Sequence, residues 1–166
     1  SLGVTTTHTL TFTPHFKNTD HSLTMSKTFV KGTVSFDLQD HGSAIDALTN
    51  VTAGSKISAP SAPSAAGWHF IGWYKEPACT NAWNFASDVV NETMTLYAKW
   101  VQTFTVTYNS NGGSGTITDS NSPYDTGSTV TVKNSTGFTG ATGKEFDHWN
   151  TAANNQGTTY ATNATL

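Results

Sequence analysis

At 166 residues, with 11% charged residues, a net charge of -3 and eight Lys but no Arg, the chain lacks the basic face and the guanidinium contacts on which nucleic-acid recognition depends. Its apolar runs are only a few residues long, which excludes a membrane-spanning helix or a signal-peptide core within the sequence, so no membrane insertion is expected. A single cysteine, Cys79, excludes an internal disulfide and a cysteine-based zinc or iron–sulfur centre, and no cofactor is expected. Threonine is roughly one residue in five. That excess of a β-branched, mildly polar residue favours strands with one solvated face, so the expected class is mainly β, with a small α+β admixture as the alternative.

In chain order, residues 1–31 open with Thr5 to Thr13, where Leu10 and Phe12 recur at period two and predict a strand ended by Pro14. A polar turn at Asn18-Thr19-Asp20-His21 and an extended run from Ser22 to Met25 make this an N-terminal hairpin, or the tail of a preceding module. From Thr28 to Leu38, the positions Val30, Val34, Phe36 and Leu38 predict a half-buried strand leading into a turn at Gln39-Asp40-His41-Gly42. Residues 44–57 read either as a helical turn plus strand or as strand throughout, and the Thr- and Gly-rich counterpart at 114–132 favours strand. Pro60 and Pro63 then require an edge or a loop, because proline cannot donate a ladder hydrogen bond.

Residues 67–100 hold four of the five tryptophans, Trp68, Trp73, Trp83 and Trp100, together with Phe70, Tyr74, Phe85 and Tyr97. A helical turn is possible in 81–90, and Met94 to Trp100 alternates as a closing strand with Met94, Leu96, Ala98 and Trp100 on one face. Val101-Gln102-Thr103 reads as a short linker. Phe104 to Tyr108 then starts a second strand, ended by Asn111-Gly112-Gly113, and Asn-Gly is the strongest short hairpin signal. Gly143, Phe146 and Trp149 repeat the spacing of Gly67, Phe70 and Trp73, and Ala164-Thr165-Leu166 reads as an echo of Met94-Thr95-Leu96. The expected organisation is an N-terminal segment 1–31, a first module 32–101, and a second module 102–166 cut short in its last strand at a fragment boundary.

These residues resemble the Listeria–Bacteroides repeat, the family of the internalin B-repeat. The resemblance rests on Val34-Ser35-Phe36-Asp37, Gly67 to Tyr74, Trp83-Asn84-Phe85 and Thr95 to Trp100 in the first copy. In the second it rests on Val106 to Asn109, Phe146 to Trp149, Tyr160 and Thr165-Leu166. Two departures stand out: Gln39-Asp40-His41-Gly42 replaces the usual Asn-Gly-Gly turn, and His148 stands where the second signature glycine is expected. The resemblance implies β-grasp-like modules in tandem within a secreted or anchored bacterial surface protein. It also implies a non-enzymatic role as stalk or adhesion surface, with neighbouring modules, a host or cell-wall glycan, or a protein receptor as partners.

Phe70, Trp73 and Trp83 recur as Phe146, Trp149 and Tyr160, and these rings, with Phe85 and Trp100, are expected in the cores, since a module of this size needs their buried area. Trp68 has Lys144 as its counterpart and is therefore the candidate ligand contact, the feature a carbohydrate-binding module would use. His15, His21 and His41, with Asp20 and Asp40, do not fall at metal-ligand spacing, and no nucleophile elbow or carboxylate pair suggests a hydrolase. Cys79 reads as a small, partly buried loop residue, with a reactive thiol as the alternative. An isopeptide cross-link would need a lysine, an asparagine and a carboxylate buried together, and the sequence singles out none of Lys31, Lys99 and Lys133 for it.

Overall fold

The computed structural model describes residues 30–166 in full and, before them, the backbone of strand residues 5–12, 15–16, 19–20 and 23–29. Pro14, Asn18, His21 and Ser22, on which the expected N-terminal reversal rests, lie outside the described residues. Every regular element among the described residues is a strand. The chain divides into two compact units, Ser1–Trp100 and Val101–Leu166.

In the first unit, β1 (Thr5–Phe12) is followed by the short antiparallel pair β2 (His15–Phe16) and β3 (Thr19–Asp20), and then by β4 (Leu23–Asp37). β1 pairs antiparallel with the first half of β4, from Thr5↔Val30 to Phe12↔Leu23. The two runs expected at 22–25 and 28–38 are thus one continuous strand, and the boundary expected near residue 31 falls inside it. β5 (Leu48–Thr52) pairs antiparallel with the second half of β4, with a register shift between Gly32 and Val34. Residues 44–57 therefore take the strand reading. β6 (Trp68–Tyr74) and β7 (Met94–Phe104) complete a sheet ordered β1-β4-β7-β6.

β4 and β7 run parallel, Val34 opposite Met94 through Asp37 opposite Tyr97. A parallel pair needs a long crossover, and residues 38–93 supply it through β5 and β6 without a helix. The helical turn considered for 81–90 is present as a single turn, Ser87 and Asp88 N–H both closing on the Asn84 carbonyl, and is not continued into a helix. Gly32 has a steric reason: a Cβ there would lie 3.0 Å from the backbone of Glu92 and Thr93, which leads into β7.

The core of this unit is Val34, Leu96 and Ala98, all fully buried, with Val90, Trp73 and Trp83. Phe36, Leu38, Ile45, Val51, Ile57, Phe70, Phe85, Met94 and Trp100 pack around it. β7 buries Leu96 and Ala98 on the face expected from its alternation. In β6 the alternation breaks: Phe70 and Trp73, three residues apart, meet edge to face at 5.4 Å. Strict period two would put them on opposite faces. Gly72 between them has φ 157, which turns the strand and lets both rings reach one core.

In the second unit, residues 101–104 are the end of β7 rather than a linker, and Thr103 and Phe104 pair with β9 (Tyr124–Asp125). β8 (Ser114–Gly115) pairs with β10 (Phe138–Thr139), and β11 (Trp149–Asn150) with β12 (Thr159–Tyr160). Ala164–Leu166 does not take the place of Met94–Leu96. Its backbone pairs antiparallel with residues 130–132, through Val130 N–H on Leu166 O at 3.0 Å and the reverse bond at 2.9 Å. In the first unit the comparable exchange joins Val90 to Ser55, before the last strand begins. The two triplets thus differ in their backbone pairing.

Candidate functional site

The turn after each first strand is built alike from different residues. In the first unit His41 N–H closes on Leu38 O at 3.1 Å, with Gln39 (φ 50) and Asp40 (φ 66) both left-handed. In the second, Gly113 N–H closes on Ser110 O at 3.1 Å, with Asn111 (φ 48) and Gly112 (φ 91). Both carry the positive φ pair of a type I′ turn. The side chain before each turn accepts the same bond: Gln39 N–H on Asp37 Oδ1 and Asn111 N–H on Asn109 Oδ1, each 2.8 Å. Left-handed backbone is uncommon for a residue such as Gln39. Its amide Nε2 donates to Ala98 O at 2.8 Å and approaches Cys79 Sγ at 3.1 Å, which anchors the turn across the sheet end.

The aromatic residues form a connected ladder. Phe36 meets Trp73 edge to face (4.9 Å, 62°), Trp73 meets Phe70, Phe70 meets Trp100 (5.4 Å), and Trp100 meets His41 (5.6 Å). Trp100 Nε1–H donates to Leu38 O at 3.0 Å. Trp68, the candidate ligand contact, ends the ladder half-buried, with the His41 ring 4.1 Å from its own at a 35° tilt. One face of the indole is therefore already covered. Trp83 is buried with Phe85 at 6.4 Å, and its Nε1 is a buried donor without an acceptor.

The second unit repeats the centre of this ladder: Tyr108 meets Trp149 at 4.9 Å and 62°, and Phe146 meets Trp149 at 5.0 Å. Phe146 was expected in the core but is 41% exposed, and Trp149 and Tyr160 are half-buried, because no strand like the Leu96–Ala98 part of β7 covers them among the described residues. Phe138, which the repeat comparison did not single out, supplies another contact to Trp149 at 5.8 Å.

Around Cys79, the loop after β6 is organised by Glu76. Its Oε1 accepts from Thr80 Oγ1 (2.5 Å), Thr80 N–H (2.7 Å) and Asn81 N–H (2.7 Å). The Thr80 hydroxyl, then the Asn81 amide, hold the carboxyl at about 2 against an ordinary 4.5. Cys79 itself is buried, in a left-handed conformation (φ 50), its thiol against Gln39 and Ala98. The thiol thus plugs a turn rather than facing solvent. Lys99 reaches Cys79 O at 3.4 Å and lies over the Tyr74 ring at 5.0 Å.

The second unit holds the buried carboxylate Asp119, which sequence alone did not flag. Burial opposes its ionisation, but the Tyr124 hydroxyl (2.8 Å), the Asn121 N–H (3.1 Å) and Lys133 (3.3 Å) prevail and keep it below the usual carboxylate range. Of the three lysines considered for a cross-link, Lys133 is the one that meets a buried carboxylate. An amide bond would need a neutral amine and a protonated carboxyl, whereas this arrangement stabilises the ion pair. His148 places Nδ1 2.8 Å from Asp147 Oδ2 and Nε2 2.7 Å from Asn155 Oδ1. With an acceptor at each nitrogen, the imidazolium is favoured, and the Asn155 and Asp147 bonds raise its pKa above 6.5.

Among the described residues, no group of three metal-ligating side chains converges, and no helix is long and apolar enough to cross a membrane. His41, a member of the histidine set weighed as ligands, lies over Trp68 and meets Trp100 edge to face; the His15 side chain and His21 lie outside the described residues.

Comparison with known proteins places this architecture. Over an alignment 131 positions long, which covers 75% of the chain, it is 37% identical to a protein of Evansella cellulosilytica provisionally named a membrane protein, of which it covers 18%. A second protein of that organism, provisionally named a Gly-rich membrane protein, is 42% identical over 49% of the chain and 9% of its own length. Internalin H of Listeria monocytogenes is 30% identical over 63% of the chain and 22% of its own length. The chain thus spans between 9 and 22% of the relatives it matches. The Listeria-Bacteroides repeat domain matches it twice, over residues 33–99 and 104–166, and the chain belongs to that family.

Proposed function

We propose that this chain is a non-enzymatic stretch of tandem, β-grasp-like repeats that serves as a stalk on an extracellular bacterial surface protein, with adhesion as a secondary role. The observation that carries the reading is the use of the aromatic residues. The ring pairs Phe36–Trp73 and Tyr108–Trp149 share one geometry, 4.9 Å and 62°, so these rings serve the packing common to both repeats. The adjacent, parallel strands β4 and β7 support the β-grasp comparison. Membership of a repeat family, and relatives named as membrane proteins and an internalin, support the cell-surface setting.

Carbohydrate binding is the second reading, and the half-open Trp68–His41 stack is the feature that favours it. Titration of the chain with a panel of cell-wall and host glycans, followed by tryptophan fluorescence, separates the two. A flat response supports the stalk. Saturable quenching that disappears in Trp68→Ala overturns it in favour of a sugar site.

A further inference from the structure

Four asparagines among the described residues hold a left-handed backbone: Asn50 (φ 58), Asn111 (φ 48), Asn155 (φ 61) and Asn163 (φ 62). They differ in the residue that follows. Val51, Gln156 and Ala164 place a side chain beside the peptide nitrogen, whereas Asn111 precedes Gly112, in the one Asn-Gly pair of the sequence. A glycine nitrogen is unhindered, and its backbone rotates freely.

That pair forms the exposed tip of the turn closed by Gly113 N–H on Ser110 O. Gly112 N–H has no acceptor among the described residues, and apart from its chain neighbours nothing lies within 4 Å of where a Gly112 Cβ would stand. The exposure belongs to the position itself. Asp40, which holds the place of Gly112 in the first unit, is also exposed, although β7 runs beside that turn. The Asn111 carboxamide is held by Nδ2–H on Ala153 O at 2.9 Å. In the first unit Gln39 stands at this place, its amide on Ala98 O and Cys79 Sγ. One methylene longer, Gln39 would have to close a six-membered ring, and the side chain of Asp40 shields the nitrogen that follows it.

We propose that Asn111 is a site of spontaneous covalent modification, carried out by its own chain and water. Hydroxide removes the Gly112 N–H proton, and the nitrogen attacks Asn111 Cγ to close a five-membered ring. The Cγ–Nδ2 bond breaks, and the amide nitrogen takes a proton from water and leaves as ammonia. Because nucleophile and electrophile sit on adjacent residues, the step is unimolecular. Water then opens the imide at Cγ, giving aspartate, or at the Asn111 carbonyl carbon, giving isoaspartate with one extra backbone carbon. Either product carries a carboxylate, which cannot donate to Ala153 O. The isoaspartyl form also lengthens a turn that has no slack, since a Cβ at Gly113 would collide with the Thr139 carbonyl oxygen on β10. The second repeat thus undergoes an irreversible change with age from which Gln39 spares the first. The chemistry is the same whether the repeats serve as a stalk or bind a sugar.

The test ages the 166-residue chain at mildly alkaline pH and maps it by peptide mass spectrometry with detection of isoaspartate. Expected is conversion at Asn111 at least about tenfold faster than at Asn50, Asn155 or Asn163. Hydrogen exchange should quicken at Gly113 in the converted chain and stay unchanged at Leu96 and Ala98. Asn111→Gln, the residue the first repeat uses, should keep the fold and stop the conversion. Gly112→Ala should slow it at least about tenfold. Because alanine is strained at φ 91, Gln156→Gly supplies the converse and should raise conversion at Asn155 at least about tenfold. The full-length parent protein should convert at the same residue. Equal rates at the four asparagines, no rise in Gln156→Gly, protection of Asn111 in the full-length parent, or unaltered exchange at Gly113 after conversion would each overturn the proposal.

Discussion

Leu96→Ala is the most direct probe of how the first repeat is held together. Leu96 is fully buried on β7 among Val34, Trp73, Trp83, Val90 and Ala98. The substitution removes three carbons, worth about 0.8 kcal/mol each in transfer from water, or about 2.4 kcal/mol. The rigid rings around the site limit collapse, and a residual void of about 50 Å³ at about 24 cal/mol per Å³ adds about 1.2 kcal/mol. The expected loss is therefore about 3 to 4 kcal/mol, a large share of the total stability of about 5 to 15 kcal/mol usual for a domain. Urea denaturation followed by tryptophan fluorescence measures it, because four of the five tryptophans lie in this unit. A loss below about 1 kcal/mol would refute the packing argument.

Gly32→Ala should cost about 1 to 3 kcal/mol by the same measurement, since its Cβ would press on the Glu92–Thr93 backbone at 3.0 Å; an unchanged midpoint would show that this crossing is loose. Glu76 has its carboxyl lowered from 4.5 to about 2, so its contribution is present above 4.5 and is lost as pH falls towards 2. Glu76→Gln should therefore destabilise the chain near neutral pH and converge with the parent sequence near pH 2, and a pH-independent difference would contradict the assignment. For His148, whose pKa is raised above 6.5, the contribution is complete below 6.5 and is lost as pH rises through the raised value. An imidazole titration followed by NMR should have its midpoint above 6.5, and a midpoint at or below 6.5 would remove the Asp147–His148–Asn155 clamp from the account.

The parts of this structure that were legible in sequence are those set by period and by ring spacing. β7 alternates cleanly because one of its faces is buried, and Trp73 and Trp149 recur because each anchors the same edge-to-face contact. Three features resisted reading for identifiable reasons. Gln39 and Asp40 form a left-handed turn without glycine because Ala98 O and Cys79, distant in sequence, hold the Gln39 amide. The pairing of the C-terminal triplet was not legible because a three-residue likeness carries no register, which the backbone bonds to Val130 and Val132 supply. Asp119 was invisible because its partners Tyr124 and Lys133 come together only through the fold. Trp68 was taken as the ring least needed by the fold, yet it has His41 as its stacking partner across the turn.

The stalk reading holds that these repeats act chiefly by their length. In the full-length parent protein, residues 33–166 can be replaced by unrelated β modules of matched span, and the accessibility of the flanking regions to antibody on intact cells can then be measured. The account predicts that accessibility is kept in the replacement and reduced when the repeats are simply deleted. Loss in both, or in neither, would contradict it.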